Sequence, residues 1–114
     1  LRKGDDLRER AFRFACDVIT LHDSLGRAGA RDLTRQLLRA GTSIGANLEE
    51  ADAAQSRPDF ISKCTIALKE ARESHYWLRL LRATRKIPNG EQLLSDANEL
   101  VAILTTIVRK ASTQ

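Results

Sequence analysis

Ser43, Asn47 and Glu50 recur at i, i+4 and i+7, and Glu70, Glu73 and Ser74 follow further on. Each spacing sets polar side chains along one helix face. If the two faces meet, their carboxylates could act as general acid and base. The plainer reading is a set of interhelical hydrogen bonds and solvated charges that fixes register, and that is the expected one. A di-iron bundle needs Glu-x-x-His on facing helices. Here Ile19 stands three residues before His22, and Arg72 three before His75. The two histidines and two cysteines, Cys16 and Cys64, have no zinc-site spacing. Helical ribonucleases that place an arginine shortly before a histidine are not matched either. Ala15, Cys16 and Asp17 precede His22, and Leu68, Lys69 and Glu70 precede His75. No glycine-rich loop has phosphate-loop spacing. The expectation is a protein with no catalytic residue, no metal and no cofactor, with His75 a satisfied histidine beside the core.

The cations are more suggestive. Arg31, Arg35 and Arg39 follow one another every four residues with Arg27 just before them, and Arg79, Arg82, Arg85 and Lys86 form a second group. The net charge is +4 and the isoelectric point about 9.5. A basic stripe of this kind is a candidate nucleic-acid surface. Against it stands the solvated helix face, since arginine is a good helix former and needs no ligand to be exposed.

The elements that must position these groups follow from apolar periodicity. Leu7, Ala11, Phe14, Val18, Leu21 and Leu25 predict a helix over 5–25, ended by Gly26 and Gly29. Leu33, Leu37, Ala40, Ile44, Leu48 and Ala51 predict a second over 30–55. Phe60, Cys64, Ala67, Ala71, Leu78 and Leu81 predict a third over 58–85, with Ser56 as N-cap, Asp59 at N3 and Pro58 in the first turn. Leu93, Leu94, Ala97, Leu100, Val101, Leu104, Ile107 and Val108 predict a fourth over 91–111. The glycines of the run Gly41–Ala46 cost about 1 kcal/mol each inside a helix, so the run signals either a neighbouring backbone close by or a kink. Four helices with short connections predict an all-α, antiparallel up-down-up-down four-helix bundle, one domain over 1–114.

Antiparallel order puts the start of the second helix beside the end of the third. The cations then gather at one end, diluted by Asp23, Asp32, Glu91 and Asp96. The other end carries Asp5, Asp6, Glu49, Glu50, Asp52 and Asp59 against Arg2, Lys3, Arg57, Arg109 and Lys110. Two helices also carry a second apolar set. Phe12, Cys16 and Ile19 lie away from the first helix's core stripe, and Ile66, Tyr76, Trp77 and Leu80 lie nearly opposite the third's. Such faces predict a homo-oligomer interface. No apolar run approaches a membrane span, and the start LRKGDDLRER has no signal-peptide core, so a reduced, cytoplasmic chain is expected.

The run Arg39-Ala40-Gly41-Thr42-Ser43-Ile44-Gly45-Ala46-Asn47-Leu48-Glu49-Glu50-Ala51, then Asp59-Phe60-Ile61-x-Lys63, then Ala67-Leu68-Lys69-Glu70-Ala71-Arg72-Glu73-Ser74-x-Tyr76-Trp77-Leu78-Arg79-Leu80-Leu81, resembles the bacterial four-helix-bundle proteins encoded by intervening sequences of 23S ribosomal RNA genes. That group includes the accessory variability protein of diversity-generating retroelements. The resemblance implies a barrel-like homopentamer with a central pore. It also implies, for the retroelement members, binding of RNA or DNA and of a reverse transcriptase through basic surfaces. Many relatives read Ile/Val-Ala-Glu-Gly where this chain has Leu48-Glu49-Glu50-Ala51, so the family polar positions are Ser43, Asn47 and Glu50, and Ala51 should end the helix less sharply. The expected function is a non-enzymatic oligomer with a basic, nucleic-acid-binding end. The alternatives are a purely structural scaffold and an enzyme built on Ser43, Asn47, Glu50, Glu70 and Glu73.

Overall fold

Apolar side chains at helical spacing form four helices in the computed structural model, which describes residues 3–25, 31–87 and 90–113. Arg27, with Gly26, Gly29, Pro88 and Asn89, lies outside the described residues. The helices are α1 (Lys3–Leu25), α2 (Arg31–Asp52), α3 (Arg57–Ala83) and α4 (Glu91–Ser112). α2 is shorter than its apolar stripe suggests. The N–H groups of Ala53 and Ala54 turn back to the carbonyls of Glu50 and Ala51, which tightens and ends the helix. Ser56 then adopts an extended backbone, and its hydroxyl accepts the Asp59 N–H at 3.2 Å, so α3 starts as the capping residues dictate.

α3 also ends earlier than predicted. The N–H of Arg85 bonds to the Arg82 carbonyl and that of Lys86 to the Leu81 carbonyl, the paired reversal that closes many helices. The reversal needs a left-handed residue, and Arg85 takes it with φ 56°. Glycine is the usual occupant of that position.

Each helix packs on its sequence neighbours and α1 also packs on α4, while the backbones of the diagonal pairs stay further apart among the described residues. Cross-helix pairs fix the direction. Ala11 faces Gly45 and His22 faces Thr34; Arg39 meets Glu70 and Glu73; Arg57 reaches the Ala111 carbonyl; and Arg10 pairs with Glu99. Along every seam the numbering runs in opposite senses, so the bundle is antiparallel, as the sequence predicts. The core is built from Phe14, Val18, Leu37, Ile44, Leu78, Leu81, Leu100 and Leu104, all essentially inaccessible to solvent. Leu21, Leu25, Leu33 and Phe60, expected in the core stripes, are only partly buried at its margins.

The glycine run has a clear role. α2 continues unbroken through it, and both glycines face α1. A Cβ at Gly45 would sit 3.7 Å from the Ala11 backbone, so the helix axes approach closely there. Beside this seam, in a buried pair, Thr34 Oγ1 donates to the Arg31 carbonyl and turns a lone pair toward His22 Nδ1, 2.8 Å away. The imidazole N–H therefore donates to Thr34.

Candidate nucleic-acid interface

The polar set of α2 and α3 is absorbed into structure. Asn47 Nδ2 donates to the Ser43 carbonyl at 2.9 Å and to its hydroxyl at 3.1 Å, so the two form one intrahelical unit. Glu50 is exposed, outside that unit. Glu70 is buried, and its Oε2 accepts from Arg39 Nη1 at 3.1 Å. Glu73 accepts from Arg39 Nη2 and, at 3.2 Å, from Trp77 Nε1. Ser74 donates to the Glu70 carbonyl. Burial pushes the Glu73 carboxyl up, but the Arg39 and Trp77 hydrogen bonds outweigh it and hold the group below the ordinary glutamate value. The Arg39 guanidinium is correspondingly stabilised in its charged form, chiefly by its bond to Glu73. Glu70 and Glu73 share the one Arg39 guanidinium, so the set fastens the α2–α3 seam.

The cations divide differently from their sequence grouping. Arg39 is committed to Glu70 and Glu73. Its two acidic partners and Arg39 itself lie at matching distances from the α2–α3 turn, a symmetry that would have exposed the pairing. That pairing also sets the level of the helices: with 1.5 Å rise per residue, Arg31 lies level with Arg79, and Arg35 with His75 and Tyr76. Arg31, Arg35, Arg79, Arg82, Arg85 and Lys86 are all exposed. They share one end of the bundle on two sides. Arg35 lies on the outer side of α2, whereas Arg79 and Arg82 line a groove between α3 and α4 with His75, Glu91, Leu94, Ser95 and Asn98. The groove has a volume of about 400 Å³. Burial, and then the positive charges of Arg79 and Arg82, lower the pKa of His75. His75 thus faces this groove, a role its position beside the core stripe did not reveal.

At the opposite end Arg8 bridges to Glu49 and Asp52, and Arg10 pairs with Asp6 as well as Glu99. The second apolar sets are exposed in part. Phe12 and Ile19 keep 55% and 43% of their surface accessible, and Cys16 beside them is an exposed free thiol. On α3, Ile66 and Tyr76 remain 38% and 49% accessible. Trp77 and Leu80 are half-buried rather than opposite the core: Trp77 packs against core residues, meets Tyr76 edge-on and bonds to Glu73. Cys64 is buried, and burial raises its thiol pKa. Among the described residues no cluster of histidine, cysteine or carboxylate groups could hold a metal, and no helix is long and apolar enough to cross a membrane.

This is an antiparallel helical bundle with its buried carboxylate tied into an interhelical seam, an exposed basic end and exposed apolar stripes. The chain belongs to the 23S rRNA-intervening sequence protein family, whose model matches residues 5–106. It is also similar to a crystal structure from Bacteroides thetaiotaomicron VPI-5482, that of a protein with unknown function from the S23 ribosomal protein family. The two share 40% identity and superimpose with a TM-score of 0.87 over 95% of this chain and 99% of that one. No curated protein matches the chain. Neither the family description nor that structure names a reaction.

Proposed function

We propose that this protein is a non-enzymatic homo-oligomeric bundle, a pentamer on the family resemblance, that binds nucleic acid or a nucleic-acid-processing partner through its basic end. The observation that carries the reading is the set Arg35, Arg79, Arg82, Arg85 and Lys86. All five are exposed at one end, and none has an ion-pair partner among the described residues. Arg85 adds weight, because it keeps a cation in a left-handed position where glycine would cost less. Repeated around an oligomer axis, these groups would form a rim able to hold many phosphates. Phe12, Ile19, Ile66 and Tyr76 supply apolar surface for assembly.

The test is fluorescence anisotropy of labelled structured RNA and duplex DNA over a salt series. Affinity should fall steeply with salt, with a log–log slope of about 0.9 per phosphate neutralised on duplex. Arg35→Glu with Lys86→Glu should weaken binding about tenfold or more, leaving helicity and mass unchanged. No binding at low salt would return the protein to the scaffold reading, and unchanged affinity in the double variant would remove these residues from the site.

A further inference from the structure

We infer that the groove between α3 and α4 is a seat for a terminal phosphate, a phosphomonoester dianion gripped by Arg79 and Arg82 with Ser95 and Asn98 opposite. The inference deepens the proposed function and rests on it for a nucleic-acid source of the phosphate, though not for the phosphate itself.

His75, Arg79 and Arg82 stand at i, i+4 and i+7, so three nitrogen-bearing side chains align along one face of α3. Ser95 and Asn98, at i and i+3, present a hydroxyl and an amide from α4. Among the described residues none of these five side chains has a hydrogen bond or an ion pair. Ser95 is unlike Thr20, Thr42, Thr65, Ser74, Thr84 and Thr105, whose hydroxyls all turn back onto their own helix carbonyls. Donors are therefore assembled and unspent. Arginine forks match phosphate oxygens two at a time. A monoester offers three such oxygens and up to two charges, against two and one for an internal diester. Leu94 contributes an apolar wall. Glu91, the one carboxylate lining the groove, repels any phosphate seated there, and the two guanidinium groups outweigh its single charge. With its extra oxygen and charge, one end group fits better than a continuous backbone. The groove is open to solvent, so a sugar attached to the seated phosphate meets no obstruction.

His75 reports occupancy. It already feels Arg79 and Arg82 from its own helix and faces Glu91 from α4, so a bound dianion should raise its lowered pKa. His22, sealed against Thr34, is the internal control. The experiment follows both imidazole rings by NMR during titration with inorganic phosphate and with a nucleoside 5′-monophosphate. In parallel it compares the affinity of one RNA duplex bearing 5′-phosphates with the same duplex bearing 5′-hydroxyls. The expected result is a shift of His75 but not His22, abolished in Arg79→Gln with Arg82→Gln, and about tenfold tighter binding of the phosphorylated duplex. If that variant also loses the His22 signal, Ser95→Ala with Asn98→Ala, at exposed α4 positions, takes its place. A His75 response to phosphate and monophosphate with equal duplex affinities supports the seat with a small ester as its source. A His75 that ignores roughly tens of millimolar phosphate overturns the inference, even if duplex still binds through Arg35, Arg85 and Lys86; the proposed function would then stand alone. Loss of duplex binding with the His75 response intact would leave the seat and remove the nucleic-acid reading.

Discussion

Gly41 and Gly45 stand one turn apart on α2, yet a methyl group added to each should act in opposite directions. At Gly41 the new Cβ would lie 3.1 and 3.3 Å from the two Val18 methyls and 3.4 Å from the Phe14 ring. Val18 and Phe14 are fully buried and have nowhere to move. Overpacking costs about 1–3 kcal/mol, against the roughly 1 kcal/mol that alanine returns in helix propensity. Gly41→Ala should therefore destabilise the bundle by about 1 kcal/mol in urea unfolding. At Gly45 the Cβ meets Ala11 at 3.7–3.8 Å, ordinary contact, so propensity decides and Gly45→Ala should stabilise by up to about 1 kcal/mol. Equal shifts of the same sign would show that both glycines serve only the backbone. The sequence marked this run as the place of a close approach or a kink. It could not separate the two glycines, because the difference lies in which α1 side chains stand opposite.

The α2–α3 seam is held by Arg39, Glu70, Glu73 and Trp77, and its energetics follow from the burial of Glu70. Arg39→Ala leaves that carboxylate without its cation in a site 6% accessible, which should cost about 1–3 kcal/mol. Adding Glu70→Gln should restore part of the loss, and a double-mutant cycle measures the coupling. Acid tests the same seam. The Glu73 pKa is lower folded than unfolded, so its contribution is complete above the ordinary glutamate range and disappears as pH falls through the depressed folded value. Wild type should lose more stability than Arg39→Ala as pH falls from the ordinary glutamate range through that depressed value; parallel pH profiles would show that the ion pair contributes nothing. The four helices were legible because each carries a core stripe at one period, with Ser56 and Pro58 marking a boundary. The seam was hidden because Arg39 continues the spacing of Arg31 and Arg35, and only the register between two helices assigns it to Glu70. Trp77 was misplaced for a different reason. It stands four residues before the buried Leu81, only about 40° around an ideal wheel, so it flanks the core, and grouping it with Ile66 and Tyr76 carried it too far round the helix.

For the whole molecule, the proposed oligomer turns on whether a second copy covers the α1 stripe. Phe12 and Ile19 are too exposed to serve the protomer's own core, and they sit one side of the tight α1–α2 seam. In a monomer, replacing them with aspartate removes little packing and places charge in water, so helicity and melting should change slightly. In an assembled ring the same charges would be buried unpaired, at a cost of several kcal/mol per subunit. Phe12→Asp with Ile19→Asp therefore separates the two states without disturbing the fold. Trp77→Asp does not, since Trp77 also belongs to the α2–α3 seam. Sedimentation of wild type should give a multiple of 12.7 kDa, and the double variant should fall to a single chain with its circular dichroism unchanged. If the variant keeps the wild-type mass, α1 is not the contact, and Ile66 and Tyr76 on α3 become the face to charge next. Dispersal of the oligomer would also weaken binding of long nucleic acid far more than binding of a single phosphate. A rim gains affinity by engaging many phosphates at once, while the α3–α4 groove is complete within one chain.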